Sequence, residues 1–309
     1  MRLGIVGAGD VAWRHAAAAA ETPGLELVVV EDRDPQRAER LAGQYGARVG
    51  RAIEEAELVV LAVPHAYHLE LALEALAAGR KVLVEKPMGR TVDECDRMMA
   101  AAQPGQLYVG QQGRFFGQVM AAKDELSRLG APLLYLERRS TDYRSPGRPA
   151  WFTDQELAGG GIAMLVGVHS IDRACWLLDT RPHLVAGSVA RPGGLAVETS
   201  AAAVLSMESG VQAHIVLVDS TEFFHETTVV CAGGTLIVDP QGVRVDGRRV
   251  HTVDGDREYT LSFRRQYEAI LNGEPVATAE EGRTAVATVQ ALYRSARNQG
   301  RPTRPGAPR

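Results

Sequence analysis

The chain has 309 residues, 45% hydrophobic and 23% charged, a balance that excludes a disordered, collagen-like or coiled-coil protein. Lys and Arg number 34 and Asp and Glu 38, for a net charge of −4, which gives no electrostatic case for general nucleic-acid binding. The length suits about two domains of roughly 150 residues.

Residues 2–6 (Arg-Leu-Gly-Ile-Val) predict a short buried strand, followed by Gly7-Ala8-Gly9-Asp10-Val11-Ala12 and an alanine-rich helix through Glu21. Alanine has the highest helix propensity and a small side chain, so the run 16–20 predicts a helix packed closely on a sheet. A second buried strand is expected over 25–30. Asp34-Pro35 opens a helix to about Tyr45, with Pro where its missing N–H costs nothing. Residues 58–63 form an apolar strand that Pro64 stops. The helix over 67–78 carries the stripe Leu69, Leu73 and Leu76 and ends at Gly79. Residues 81–84 are a strand, Thr91-Val92-Asp93-Glu94 is a capping-box start, and 107–110 is a last strand. Nothing at the start resembles a signal peptide, and no apolar run approaches the roughly 20 residues needed to span a bilayer. Alternating strand and helix predict parallel strands joined by right-handed crossover helices.

After Phe116 a helix to about Leu129 makes a join, and the pattern changes. Residues 133–141, 184–189, 200–207, 211–218, 227–231, 235–238 and 243–246 are strand-like. Turns such as Glu208-Ser209-Gly210, Gly233-Gly234 and Asp246-Gly247 separate several of them, which predicts an antiparallel or mixed sheet. A helix over 164–178 interrupts this half. Two more close the chain, at 263–271 and about 279–298, the second with Thr278 and Glu281 in capping-box spacing. The tail from Gly300 is expected to fray. The expected domains are 1–116 and 117–309, with the C-terminal helix able to pack back on the first. Cys95, Cys175 and Cys231 lie far apart and read as small hydrophobes in a reducing cytoplasm, not as a disulfide framework or metal site.

Gly7-x-Gly9-x-x-Ala12 lies between a predicted strand and a predicted helix, where its chemistry is backbone geometry. One glycine permits a tight turn, the next lets a pyrophosphate approach, and a small third residue lets helix and strand pack closely. The helix N-terminus then offers free N–H groups to phosphate. Asp32 follows Ala12 by twenty positions at the end of the second strand, as dinucleotide sites require. Its carboxylate suits ribose hydroxyls and repels a 2′-phosphate, which favours NAD. Arg33 keeps NADP open, since a guanidinium suits a phosphate or an adenine face. The plain alternative is a glycine turn in a non-binding α/β fold.

Several further runs resemble the glucose–fructose oxidoreductase/inositol dehydrogenase (Gfo/Idh/MocA) family. They are Pro64-His65-Ala66-Tyr67-His68, the run from Ala78-Gly79 to Val84-Glu85-Lys86-Pro87, Arg114-Phe115, and Gly159-Gly160-Gly161. Gly167-Val168-His169-Ser170-Ile171-Asp172 and Gly273-Glu274-Pro275 complete the set, and His15 after the opening glycines is similar. The resemblance runs from about residue 2 to about residue 300. It implies an NAD(P)-dependent oxidoreductase of sugars, polyols or related alcohols and ketones. The implied fold is an N-terminal Rossmann doubly wound parallel sheet with a C-terminal α+β domain built on a large open sheet. It further implies a homodimer or homotetramer through that sheet, and a cis Lys86–Pro87 bond. The expected cofactor contacts are Gly7, Ala8, Gly9, Asp10, Val11, Ala12, Asp32, Arg33, Val63, Pro64, His65, His68, Glu85 and Lys86. No metal, nucleic-acid or membrane partner is expected.

Removing a hydride from an alcohol leaves a proton for the protein to take. Lys86 lies just past a strand's C-terminal end, where ligands of open α/β sheets bind. An ammonium there stabilises alkoxide character or, partly buried, shuttles the proton. The resemblance implies His169 as general acid or base. It also shows a departure: the family aspartate four residues before that histidine is Leu165 here, and leucine cannot orient an imidazole. Lys86 and His169 then suffice for a reductase, or Asp142, Asp154 or His183 replaces the acid, or the chain is a dinucleotide-binding sensor or assembly protein without turnover. The resemblance separately implies a further alternative, a glycosidase using transient oxidation. Arg114, Arg138, Asp142, Trp151 and Asp172 are second-tier substrate candidates, the arginines suiting a carboxylate or phosphate.

Overall fold

The computed structural model describes residues 1–306. The chain forms two compact units. The first is Met1–Gly89, Asp93–Phe115 and Tyr259–Arg283; the second is Arg90–Val92, Phe116–Glu258 and Thr284 onward.

The first unit begins with β1 (Arg2–Val6), α1 (Asp10–Ala20), β2 (Glu26–Glu31), α2 (Pro35–Tyr45), β3 (Arg48–Val49) and α3 (Ala52–Glu55). It continues with β4 (Leu58–Leu61), α4 (His68–Ala77), β5 (Lys81–Glu85), α5 (Val92–Ala101) and β6 (Leu107–Gly110). The strands form one parallel sheet in the order β3-β2-β1-β4-β5-β6. This is the expected doubly wound α/β sheet, and its order reverses beside β1, where such sheets bind ligands. Leu3, Ile5, Val60 and Leu83 are fully buried, and Ala12, Ala16, Ala18 and Ala19 of α1 close the same core. Small side chains let that helix lie close to the sheet. Asp34 caps α2, accepting the N–H of Gln36 at 3.0 Å, and Pro35 takes the first helical position. β3 has two exposed residues and no apolar pattern, so only its pairing with β2 defines it.

The second unit contains α6 (Gly117–Leu126), β7 (Pro132–Thr141), α7 (Gln155–Ala158) and a wide π turn over Ala163–Gly167 leading into α8 (Val168–Leu178). Then come β8 (Pro182–Ala190), β9 (Ser200–Met207), β10 (Gln212–Asp219), β11 (His225–Cys231), β12 (Gly234–Asp239), β13 (Gly242–Val245) and β14 (Arg248–Thr252). The sheet order is β14-β13-β12-β11-β7-β10-β9-β8. β7 and β10 run parallel, and every other pairing is antiparallel. β14 is polar and lacked a strand signal; hairpin pairing with β13 forms it. Ala213, Ile215 and Leu217 alternate inward along β10 and share a core with Val168, Ile171 and Ala174 of α8. The stretch Gln155–Leu178 is, contrary to the sequence expectation, long and apolar enough by composition to cross a bilayer. Most of it is buried in this core, which accounts for its apolarity without a membrane.

The chain closes with α9 (Gly255–Asn272) and α10 (Ala279–Arg297). α9 starts at 255 instead of 263, because its first turns are polar and the apolar stripe begins only at Phe263. Phe263, Tyr267 and Ile270 return to the first core. The capping box forms as expected: the Thr278 N–H donates to Glu281 Oε2 at 2.8 Å and the Glu281 N–H to Thr278 Oγ1 at 3.2 Å. The tail does not fray through its described length. Thr303 exchanges two backbone hydrogen bonds with Val185, at 2.9 and 2.8 Å, and so covers part of the open edge of β8.

Candidate active site

The glycine turn follows β1. Gly7 has φ +99°, and a Cβ there would lie 2.2 Å from the Ala62 carbonyl oxygen, so both conformation and space demand glycine. The Ala8 N–H donates to Asp32 Oδ2 at 2.6 Å and the Asp34 N–H to Asp32 Oδ1 at 2.8 Å. Asp32 therefore ties the end of β2 to the turn. Gly9 precedes α1, whose N-terminus has no side-chain cap. The space a Cβ would take at Gly9 meets one group, Arg37 Nη2, at 3.6 Å. The guanidinium of Arg33 lies over the Tyr67 ring, 5.8 Å from its centroid. A turn only glycine permits, an uncapped helix N-terminus, a carboxylate and two cations together fit a dinucleotide. Sequence reasoning missed Arg37; its position in the first turn of α2, behind Asp34-Pro35, was the available signal.

Gly7→Ala is expected to weaken NADH binding by more than about tenfold, because the turn must open to admit a Cβ. Fluorescence titration measures it, and a parental dissociation constant would refute the requirement.

A second group gathers where β5 ends. The Lys86–Pro87 bond is cis, as the resemblance implies. The half-buried Lys86 donates its backbone N–H to Glu85 Oε2 at 3.2 Å. His68 is fully buried, with Nδ1 3.0 Å from the Pro87 carbonyl and Nε2 3.0 Å from the Val63 carbonyl. Burial holds its pKa below 6.5, against the pull of both carbonyls. The neutral His68 ring lies between the Val63 and Pro87 carbonyls and donates its single N–H to one of them. His65 is also buried, its ring centroid 5.6 Å from that of His68. Val63 and Pro64 are half-buried, and Val63 Cγ1 lies 3.2 Å from a Cβ built on Gly7. Arg114 is buried in an ion pair with Glu281, at 2.9 Å.

In the second unit His169 is half-buried on α8, and Asp172 is buried on the same helix. Leu165, 4% exposed, is part of the core in the turn before α8. The glycine run is a packing requirement. A Cβ on Gly160 would meet Tyr293 Oη at 2.1 Å, and one on Gly161 the Glu198 carbonyl at 1.9 Å. Buried Glu198, which no sequence signal marked, accepts the N–H of Gly161 at 2.9 Å, the N–H of Ala163 at 3.1 Å and the Tyr293 hydroxyl at 2.6 Å. It fills the role of a carboxylate at a helix start. Arg138 stands exposed on the sheet, 3.4 Å from Glu226 and over the Phe224 ring. Asp142 is half-buried and accepts from Arg148 through its main-chain oxygen at 2.7 Å. Trp151 packs against Phe152, their ring centroids 4.4 Å apart.

Comparison with known proteins matches residues 1–111 to the model of an oxidoreductase family with an NAD-binding Rossmann fold, and residues 127–237 to the GFO/IDH/MocA C-terminal domain. The chain is 27% identical to the inositol 2-dehydrogenase of Rhizobium meliloti (strain 1021) and 24% identical to the 1,5-anhydro-D-fructose reductase of Ensifer adhaerens, each match covering 96% of both chains. The structure of GenD2 from gentamicin A biosynthesis, in complex with NAD, has the same fold. It aligns with a TM-score of 0.86 at 24% identity, over 99% of this chain and 97% of that one.

Proposed function

The chain belongs to the Gfo/Idh/MocA family of NAD-binding oxidoreductases, and from that membership we propose that it transfers a hydride between NAD and a sugar, polyol or related alcohol or ketone. It is a dehydrogenase or reductase acting on CH–OH groups. The names of its relatives support the substrate class. The observation that carries the reading is the turn at Gly7 and Gly9 with Asp32 hydrogen-bonded to Ala8.

NAD, when bound, supplies the hydride acceptor or donor. Gly7 to Ala12 hold its phosphates against the start of α1, with Arg33 and Arg37 as nearby cations. Asp32 accepts from ribose hydroxyls, and its charge disfavours a 2′-phosphate, which supports NAD over NADP. Lys86 donates a hydrogen bond to the reacting oxygen and stabilises its negative character. Lys86 and His169 handle the proton between them. Arg114, Arg138, Asp142, Trp151 and Asp172 are the substrate candidates, Arg114 and Arg138 also forming ion pairs with Glu281 and Glu226.

Titration with NADH and NADPH separately, read by energy transfer from tryptophan, tests the cofactor assignment. Micromolar NADH binding with weaker NADPH binding is expected, and binding of neither by folded protein overturns the reading. A panel of sugars and polyols with NAD then tests turnover. The core position of Leu165 motivates a second reading, cofactor binding without turnover; tight NADH binding with no hydride transfer across the panel would favour it.

We also propose that two copies pair through the outer face of the eight-stranded sheet. Leu136 on β7 and Val216 on β10 are 40% and 48% exposed there, beside His214 and Arg138, and exposed large apolar side chains set among polar ones suit a protein partner. Sedimentation velocity of the double variant Leu136→Arg/Val216→Arg is expected to show a monomer beside an oligomeric parent. A monomeric parent refutes the pairing.

A further inference from the structure

Behind Lys86, wholly within the first unit, lies a buried polar chain from three distant segments. His15 stands on α1, one turn past the glycine turn. Glu85 ends β5, and Tyr267 comes from α9. His15 Nε2 is 2.9 Å from Glu85 Oε1, and His15 Nδ1 is 2.7 Å from the Tyr267 hydroxyl. All three side chains are buried. One arrangement of hydrogens satisfies the chain: Tyr267 O–H donates to Nδ1, and Nε2–H donates to the Glu85 carboxylate. Phe263 packs edge-on against the imidazole, ring centroids 4.8 Å apart. The carboxylate occupies a slot that only glycine leaves open, since a Cβ on Gly110 of β6 would lie 2.6 Å from Glu85 Oε1.

A buried carboxylate and its partners are generally no more stable than apolar residues of the same shape. The chain therefore has little to gain in stability and much in position. The other oxygen of Glu85 accepts the Lys86 N–H, and the Pro87 carbonyl on the far side faces His68. The Lys86 backbone is held at its N–H by Glu85. That hold runs through His15 to the helix that starts at the glycine turn.

We propose that His15 and Tyr267 are positioning residues for Lys86, acting through the Glu85 carboxylate. The proposal rests on the reading of Lys86 as the group that meets the reacting oxygen. Misplacing such a group by a fraction of an ångström lowers the chemical step without touching the cofactor's phosphates.

The test compares His15→Leu, His15→Gln and Tyr267→Phe with the parent and with Lys86→Ala. The readouts are kcat and KM with the panel substrate that the parent turns over, the NADH dissociation constant, and thermal melting. For His15→Leu, kcat is expected to fall about tenfold or more, with NADH affinity within about threefold of the parent. His15→Gln places an amide donor near the former Nε2 and is expected to recover most of the lost kcat. A purely structural role would not be rescued this way. Tyr267→Phe removes a single oxygen, and is the deciding variant if His15→Leu does not fold; its kcat is expected to fall about threefold or more at unchanged NADH affinity. Parental kcat in folded His15→Leu or in Tyr267→Phe overturns the proposal, as does a loss of kcat matched by an equal loss of NADH affinity. A fully active Lys86→Ala overturns the reading of Lys86 itself and takes this assignment with it. An inactive Lys86→Ala beside a fully active His15→Leu overturns the positioning role alone.

Discussion

Lys86→Ala is expected to lower kcat by about a thousandfold or more while leaving the NADH dissociation constant within about threefold. A thousandfold loss corresponds to about 4 kcal/mol of transition-state stabilisation. Proton handling and charge stabilisation at one oxygen are each worth about a hundredfold or more, and an alanine supplies neither. Cofactor affinity should survive because the proposed phosphate contacts follow β1, whereas Lys86 follows β5. Steady-state rates beside a fluorescence titration separate the two effects. Retained turnover would remove Lys86 from the chemistry, and a parallel collapse of affinity would leave it a cofactor contact alone.

Glu137→Gln is expected to cost about 3 kcal/mol of stability or more, since breaking a buried ion pair leaves an uncompensated charge. The Glu137 side chain is fully buried on β7. It accepts the Tyr135 hydroxyl at 2.5 Å and the Ser170 hydroxyl at 2.6 Å, and pairs with Arg173 at 3.2 Å. His225 Nε2 lies 3.3 Å from the same carboxylate and also meets Arg173 Nη1. Two of these partners, Ser170 and Arg173, stand on α8, so the carboxylate anchors the helix that carries His169. Urea denaturation measures the loss, and a midpoint unchanged from the parent would refute the anchor.

The same cluster is expected to make the second unit acid-sensitive. Burial alone would raise the Glu137 pKa, but the Arg173 charge and the hydrogen bonds from His225 and Ser170 outweigh it and hold the group far below the usual carboxylate range. Burial and the Arg173 charge push His225 down from 6.5 to about 4. Both folded pKa values lie below the unfolded ones, so the unfolded chain takes up protons first as pH falls. Stability contributed by His225 is complete above about pH 6.5 and is lost between there and about pH 4. The Glu137 contribution is lost below the usual carboxylate range. His225→Gln is expected to flatten the urea midpoint between pH 6.5 and 4. An unchanged slope would mean that another group sets it.

The local signals in the sequence were strong where one segment decides its own structure. The strands of the first sheet other than the exposed edge strand β3 announced themselves as apolar runs because both faces are covered by helices. Asp34 before Pro35, and Thr278 three residues before Glu281, marked helix starts because a cap bonds only its own first turn. The glycine turn was legible for the same reason: its conformation and the space beside it exclude a side chain. β14 and the first turns of α9 were missed because they are polar and take their structure from a neighbouring strand or helix. The tail was misread because nothing within it records the open edge of β8.

The apolar strands of the parallel sheet, the turn after β1, Asp32 at the end of β2 and the motif that ends in Lys86-Pro87 are each legible in short runs of consecutive residues. Which buried polar groups meet is settled by the folded chain alone. Tyr267 reaches His15 across 252 residues, Glu137 reaches Thr227 across 90, and Glu198 reaches Gly161 across 37. Such pairings leave no periodic pattern, because a buried carboxylate needs only one complementary group at hydrogen-bond distance, and folding can draw that group from any point in the chain.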